Sequence, residues 1–211
     1  MKVCEIFSSI QGESSFAGLP CTFIRLTGCN LRCSYCDTSY AYYEGQELTA
    51  DEIMSEVRRA GIDLVEITGG EPLLQKEVSH LIERLLDKGH TVLVETNGSQ
   101  SIKEIDKRAI VILDIKTPGS DMSKEMDFSN LDFIKSSDEI KFVITSRGDY
   151  EWSKEIIQRY KLMEKCHLLY SPAFGVLPPE NLVRWMINDG LKIRLNLQLH
   201  KYIFSSEQRG I

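Results

Sequence analysis

Short apolar runs alternate along the chain with segments whose apolar residues recur every three or four positions. Val3–Ile10 mixes β-formers with polar residues and reads as extended, closing in the turn-like Gln11-Gly12-Glu13. Cys21-Thr-Phe-Ile-Arg-Leu26 predicts a strand by length and propensity, with Arg25 on the face of Cys21 and Phe23. Thr49-Ala-Asp-Glu52 has the pattern of a reciprocal helix cap, and Ile53, Met54, Val57 and Ala60 share one face behind it. Leu64–Thr68 predicts the next strand. Val78, Leu81, Ile82, Leu85 and Leu86 predict a helix that stops at Gly89.

The pattern continues with a strand at Thr91–Glu95, a short helical segment near Ile102–Lys107 and a strand at Ile110–Ile115. Residues 119–137 are polar and irregular, a loop with a short helix. Then come a strand (Glu139–Ile144), a helix (Tyr150–Leu162) and a strand (His167–Tyr170). A helix opened by Pro178-Pro179 and closed by Gly190 precedes a final strand, Leu191–Leu199.

Alternation of this kind predicts an α/β fold with a parallel sheet and right-handed crossovers. About six strands are too few for an eight-fold barrel, so the expectation is a partial, open barrel, one domain across residues 1–211. Chemistry in parallel barrels sits at the C-terminal ends of strands. The stretch after Leu26, Gly69-Gly70-Glu71-Pro72, Thr96-Asn97-Gly98, Asp114 with Lys116, and Ser171-Pro172 all fall there.

The stretch after Leu26 carries Cys29, Cys33 and Cys36 in a short polar loop opened by Gly28. Thiolates spaced Cys-x3-Cys-x2-Cys can converge on one metal centre. Zinc calls for a fourth Cys or His, and the nearest later histidine is His80. An iron-sulfur cube held by three thiolates keeps one iron open for chemistry. A non-enzymatic zinc module is the rival reading, separable by metal analysis. Cys4, Cys21 and Cys166 are scattered and read as structural. His80 and His90 read as structural or exposed, and His167 as core; His200 stands apart, just past the final strand.

Composition narrows the class. A net charge of −6 argues against a general nucleic-acid or membrane-surface binder. No apolar run reaches the length of a membrane span. Met1-Lys-Val-Cys-Glu lacks the apolar stretch of a signal peptide, so the expected location is the cytoplasm, where thiols stay reduced.

The cysteine spacing and Gly69-Gly70-Glu71 resemble the radical S-adenosylmethionine (SAM) enzymes. Ile10-Gln11-Gly12-Glu13, Phe23-Ile24-Arg25-Leu26, Cys33-x-x-Cys36-Asp37-Thr38, Thr68-Gly-Gly-Glu-Pro72 and His200-Lys201-Tyr202 sharpen this to a resemblance to the 7-carboxy-7-deazaguanine synthases. That resemblance implies a β6/α3 partial barrel, a homodimer, and an electron donor such as flavodoxin. It implies conversion of 6-carboxy-5,6,7,8-tetrahydropterin to 7-carboxy-7-deazaguanine with loss of ammonia, on the route to queuosine. The implied cofactors are a [4Fe-4S] cluster on Cys29, Cys33 and Cys36, SAM, and Mg²⁺ on the Thr38 hydroxyl.

Substrate contacts carried over are Ile10, Gln11, Gly12, Glu13, Arg25, Thr68 and His200. SAM contacts are Tyr35, Gly69, Gly70, Glu71, Asn97, Asp114, Lys116, Ser171, Pro172, Ala173 and Phe174. In some members the terminal carboxylate approaches the substrate, which here would be that of Ile211. The alternative is a glycyl-radical-enzyme activase acting on a protein partner; Gln11-Gly12-Glu13 and Cys36-Asp37-Thr38 point away from it.

Overall fold

From its second strand onward the sheet follows chain order. The computed structural model describes residues 1–204, 209 and 210. Its strands are β1 (Lys2–Ile10), β2 (Pro20–Leu26), β3 (Gln46–Glu47), β4 (Leu64–Gly69), β5 (Thr91–Thr96), β6 (Ile110–Asp114), β7 (Glu139–Ile144), β8 (His167–Pro172) and β9 (Arg194–Leu195). They form one sheet in the order β3-β1-β2-β4-β5-β6-β7-β8-β9. β1 is antiparallel to β2 and β3, and every pair from β2 to β9 is parallel. The helices are α1 (Ala50–Ala60), α2 (Val78–Asp87), α3 (Arg147–Arg159), α4 (Pro179–Asp189) and α5 (His200–Ile203). β2 and β4–β8, with α1–α3 as crossovers, give the expected open β6/α3 arrangement. No helix among the described residues is long and apolar enough to cross a membrane.

Strand alternation splits the side chains between two faces. Ile24, Ile67, Val94, Leu113, Phe142 and Tyr170 face outward and join Ile53, Val57, Leu81, Leu85 and Leu182 of the helices in the main core. Each such burial is worth about 1.5–3 kcal/mol. The inner face begins with a small apolar floor of Cys21, Phe23, Leu64, Leu93 and Ile112. Further along these strands it turns polar, with Arg25, Thr68, Glu95 and Asp114, joined by Lys141 of β7 and Ser171 of β8.

Helix α1 starts as predicted. Thr49 Oγ1 accepts from Glu52 N at 3.2 Å, and Glu52 Oε2 accepts from Thr49 N at 2.7 Å. Gly61 ends it at φ 67°, where a side chain would be strained. Helix α3 begins earlier than predicted, at Arg147, because Ser146 Oγ caps Asp149 N. Residues 119–137 hold short 3₁₀ turns rather than one helix.

Three expectations are corrected. Ile102–Lys107 forms turns and no helix. The buried Asn130 side chain accepts from Ile102 N and donates to Gly98 O and Gln100 O, satisfying this backbone without a helical ladder. Of Leu191–Leu199, only Arg194–Leu195 pairs with β8. Asn196 and Gln198 instead turn their amides toward Ser171 and Glu13, which takes the chain off the sheet edge. His167 is exposed at the start of β8, not core.

Candidate active site

The C-terminal strand ends open into a cavity of about 800 Å³. The cysteine loop forms one wall. Gly28 starts it at φ 102° and donates to Ala41 O at 2.9 Å. Buried Leu31 anchors its middle. Arg32 donates to Cys29 O at 2.8 Å and lies over the Tyr42 ring at 4.2 Å. Ser34 reaches across to Ser120 O through its N–H and to Gly119 O through its hydroxyl. The loop is thus tied down on both sides of Cys33.

Cys29, Cys33 and Cys36 all line the cavity. Burial raises the proton affinity of Cys29, and the Cys36 thiol adds to it; Leu31 N–H and the Asn97 amide, aimed at its sulfur, work the other way. Cys33 is pushed up to about 11, mainly by burial. Two half-buried thiols and the exposed Cys36, gathered along one wall, suit a bound cation, which would favour the thiolates of Cys29 and Cys33 against their burial. Among the described residues no three side chains are already drawn together at metal-binding range.

Opposite stands the end of β4. A Cβ on Gly70 would sit 2.2 Å from Gly28 O and 2.7 Å from Cys29 Cβ, so only glycine lets strand end and cysteine loop touch. Gly69, Asn97, Lys116 and Ser171 through Phe174 line the same space. Lys116 Nζ pairs with Asp114 Oδ2 at 2.7 Å. Asp114 Oδ1 and the Tyr35 hydroxyl are buried without a partner among the described residues, beside this pair. Unpaired buried polar atoms in a cavity wall are what an incoming polar ligand would satisfy. The donor set and the glycine cradle therefore fit a three-thiolate cluster and SAM.

Glu71, expected among the SAM contacts, stands behind the cavity wall. It is fully buried, does not line the cavity, and accepts from Thr96 Oγ1, Asn97 N and Leu73 N. Its carboxylate ties the ends of β4 and β5 together.

The third wall joins the ends of the chain. Ile10, Gln11, Gly12, Glu13, Arg25, Thr68 and His200 line it, with Thr38 beside the cysteine loop. Leu199 N donates to Gly12 O at 2.8 Å, and a Cβ on Gly12 would fall 2.0 Å from His200 Nδ1. Gly12 is therefore what lets α5 lie against this turn. Arg25 Nε pairs with Glu5 Oε1 at 2.7 Å; its terminal nitrogens make no hydrogen bond among the described residues. Thr38 Oγ1 donates to Asp37 Oδ1 at 3.0 Å. Ile211 lies outside the described residues.

Sequence reading missed the inner-face charges Glu66, Glu95 and Lys141, and the amides Asn196 and Gln198. Glu66 sits deepest, accepting from Gln11 Nε2. Burial, with Glu95 close by, holds its carboxyl well above the usual range and favours the protonated form. Glu95 accepts from Thr68 Oγ1 at 3.0 Å and pairs with Lys141, and that pairing outweighs its burial and keeps it ionised. The signal for these residues was present: a charge at every second position of an apolar strand shares a face with its neighbours at that spacing.

Residues 23–165 match the Radical SAM superfamily. The chain is 41% identical over 226 residues to the 7-carboxy-7-deazaguanine synthase of Koribacter versatilis, covering all of both chains. It is 43% identical over 214 residues to that of Chlorobaculum tepidum, covering all of this chain and 97% of the relative. The crystal structure of QueE from Escherichia coli shares the fold, with a TM-score of 0.77 over 94% of each chain at 23% identity. None of this favours the activase reading. Likeness that runs the whole length of these relatives makes the chain a member of the 7-carboxy-7-deazaguanine synthase family of radical SAM enzymes.

Proposed function

We propose that this enzyme converts 6-carboxy-5,6,7,8-tetrahydropterin to 7-carboxy-7-deazaguanine with loss of ammonia, in deazapurine synthesis leading to queuosine. One observation carries the reading: a guanidinium with unengaged terminal nitrogens (Arg25) and a carboxylate (Glu13) share one cavity with the cysteine loop. A carboxylated pterin needs a cation for its carboxylate and acceptors for its ring N–H groups.

Cys29, Cys33 and Cys36 would hold a [4Fe-4S] cluster. Gly69, Gly70, Tyr35, Asn97, Asp114, Lys116 and Ser171–Phe174 would receive SAM. When bound, they would supply radical chemistry at the C6 hydrogen of the substrate. The chain's own work is placement. Arg25 holds the carboxylate, and Gln11, Glu13 and Thr68 face the ring. His200 closes the site from α5. Walls of apolar and ion-paired groups keep out water that would compete for the polar contacts.

Thr38 is read as the Mg²⁺ residue. Its hydroxyl lies in the cavity wall next to Cys36, and a hard cation that keeps several waters needs few protein oxygens. The protein is further read as a single-domain, cytoplasmic homodimer that receives electrons from a donor such as flavodoxin.

The test is anaerobic turnover of reconstituted protein with SAM, reductant and carboxytetrahydropterin. Product should appear with SAM regenerated, and deuterium placed at C6 should enter recovered SAM. Absence of 7-carboxy-7-deazaguanine from a protein loaded with iron and sulfide sinks the reading. Thr38→Ala should shift the Mg²⁺ titration at unchanged iron content; an unshifted curve removes Thr38 from the metal site.

A further inference from the structure

Lys141 stands on β7 with its side chain 6% exposed, and three carboxylates surround its ammonium. Glu13 Oε2 lies at 3.0 Å and Asp114 Oδ2 at 3.7 Å, and Glu95 Oε1 is in direct contact. These acids come from different places: the turn after β1, the end of β6, and β5. An ammonium carries three donors, so one side chain can serve all of them. A buried, unpaired ammonium would cost several kcal/mol, so the acids are what allow it there.

We propose that Lys141 is a positioning residue: the shared counter-ion that holds Glu13 and Glu95 side by side as charged acceptors for the ring edge of a pterin, and ties them to Asp114 on the SAM side. The assignment rests on the pterin reading above. Without Nζ, two carboxylates face one cavity with no cation between them. Like charges repel, so without the ammonium the two carboxylates swing apart and lose the spacing that Nζ imposes. Acceptors set apart no longer match the N–H groups of the ring edge. Lys116 cannot substitute, because it is engaged by Asp114 at 2.7 Å. Burial opposes a charged Lys141, but Glu13 and Glu95 outweigh it and keep the ammonium protonated. Asn196 donates to Glu13 Oε2, the oxygen Lys141 also holds, and Gln198 donates to Oε1, so both oxygens of the carboxylate are fixed in place.

The test compares wild type with Lys141→Met, which keeps length and removes charge. Binding is read by anaerobic calorimetry on cluster-loaded protein, with carboxytetrahydropterin and with tetrahydropterin lacking the carboxylate. Lys141→Met should weaken both pterins by about tenfold or more, by the same factor, since the lost acceptors read the ring. Iron content should hold, and SAM affinity should fall by a smaller factor than pterin affinity, since Lys141 touches the SAM side only through Asp114. Adding Glu95→Gln should recover part of the lost melting temperature. The double variant should still bind pterin more weakly than Glu95→Gln alone, which keeps the test available if Lys141→Met does not fold. Pterin affinity unchanged in a folded variant overturns the proposal, and so does a loss confined to the carboxylated pterin. If wild type binds neither pterin, the proposed function fails and this assignment falls with it.

Discussion

Strand β7 shows two ways of being buried. Ile140, Phe142 and Ile144 point toward the helices and are fully enclosed. Glu139 and Lys141 point the other way and are 0% and 5% exposed. Burial is nearly the same, and the partners differ. Outward side chains need only volume-matched apolar neighbours, and many residue sets can meet that demand. Each inward charge needs named atoms. Glu139 takes Ser15 N–H and hydroxyl, and Lys141 takes its carboxylates. The outer face therefore supplies stability and the inner face selects ligands at some cost in stability. Substitutions that separate the two losses test that division.

The largest effect is expected at the cysteine wall. Alanine at Cys29, Cys33 or Cys36 should abolish the iron-sulfur absorbance and turnover together, while Cys166→Ala keeps both. A cluster lost from folded Cys166→Ala would refute the ligand set. On the outer face, Phe142→Ala should cost about 3–5 kcal/mol in denaturant unfolding. Its kcat/KM on the folded fraction should stay within about twofold of wild type. A catalytic loss larger than the stability loss would erase the distinction between faces.

Arg25→Lys is the inner-face counterpart. It keeps charge and loses the fork, so about 1.5–3 kcal/mol, or ten- to a hundredfold in kcat/KM, should go with little change in melting. Wild-type kinetics in that variant would take Arg25 out of the substrate site. Thr49→Ala removes a cap far from the cavity and should cost about 1 kcal/mol with kcat/KM untouched.

The smallest signal is a pH slope from Glu66. A carboxyl raised in the folded state contributes stability that is complete below its unfolded pKa of about 4.3. That stability is lost as pH climbs through the folded value. Glu66→Gln cannot titrate, so its melting temperature relative to wild type should increase from about pH 5 to about pH 8. A flat difference would mean that Glu66 is ionised throughout.

Much of the scaffold was legible because its signals are local. The Thr49–Glu52 cap, the stop at Gly61 and the alternation of strands and helices each depend on residues a few positions apart. The cysteine spacing and Gly69-Gly70 were legible for the same reason. Glu95, Lys141 and the lysine's tie to Glu13 were not, because the lysine's partners lie 128 and 46 residues away. In sequence, Lys141 looks like an interruption of an apolar strand. Ile102–Lys107 misled because its apolar spacing is helical while the deciding contact comes from Asn130. Leu191–Leu199 misled because its alternation continues past Asn196, whose N–H makes the last bond of the ladder, to Tyr170 O.

The hydrogen bond from Leu199 N to Gly12 O spans almost the whole chain. Contacts of such separation carry the largest loop-closure penalty and tend to form late. A ribosome delivers Gln11–Glu13 among the first residues and Asn196–His200 near the last, after every strand of the parallel run has been made. A nascent chain stopped before Asn196 can therefore assemble β1 to β8 and their helices while Glu13 still lacks both its amide partners. In this protein the scaffold precedes the site in time as well as in space, and a truncated product would be folded, cysteine-bearing and unable to hold its substrate.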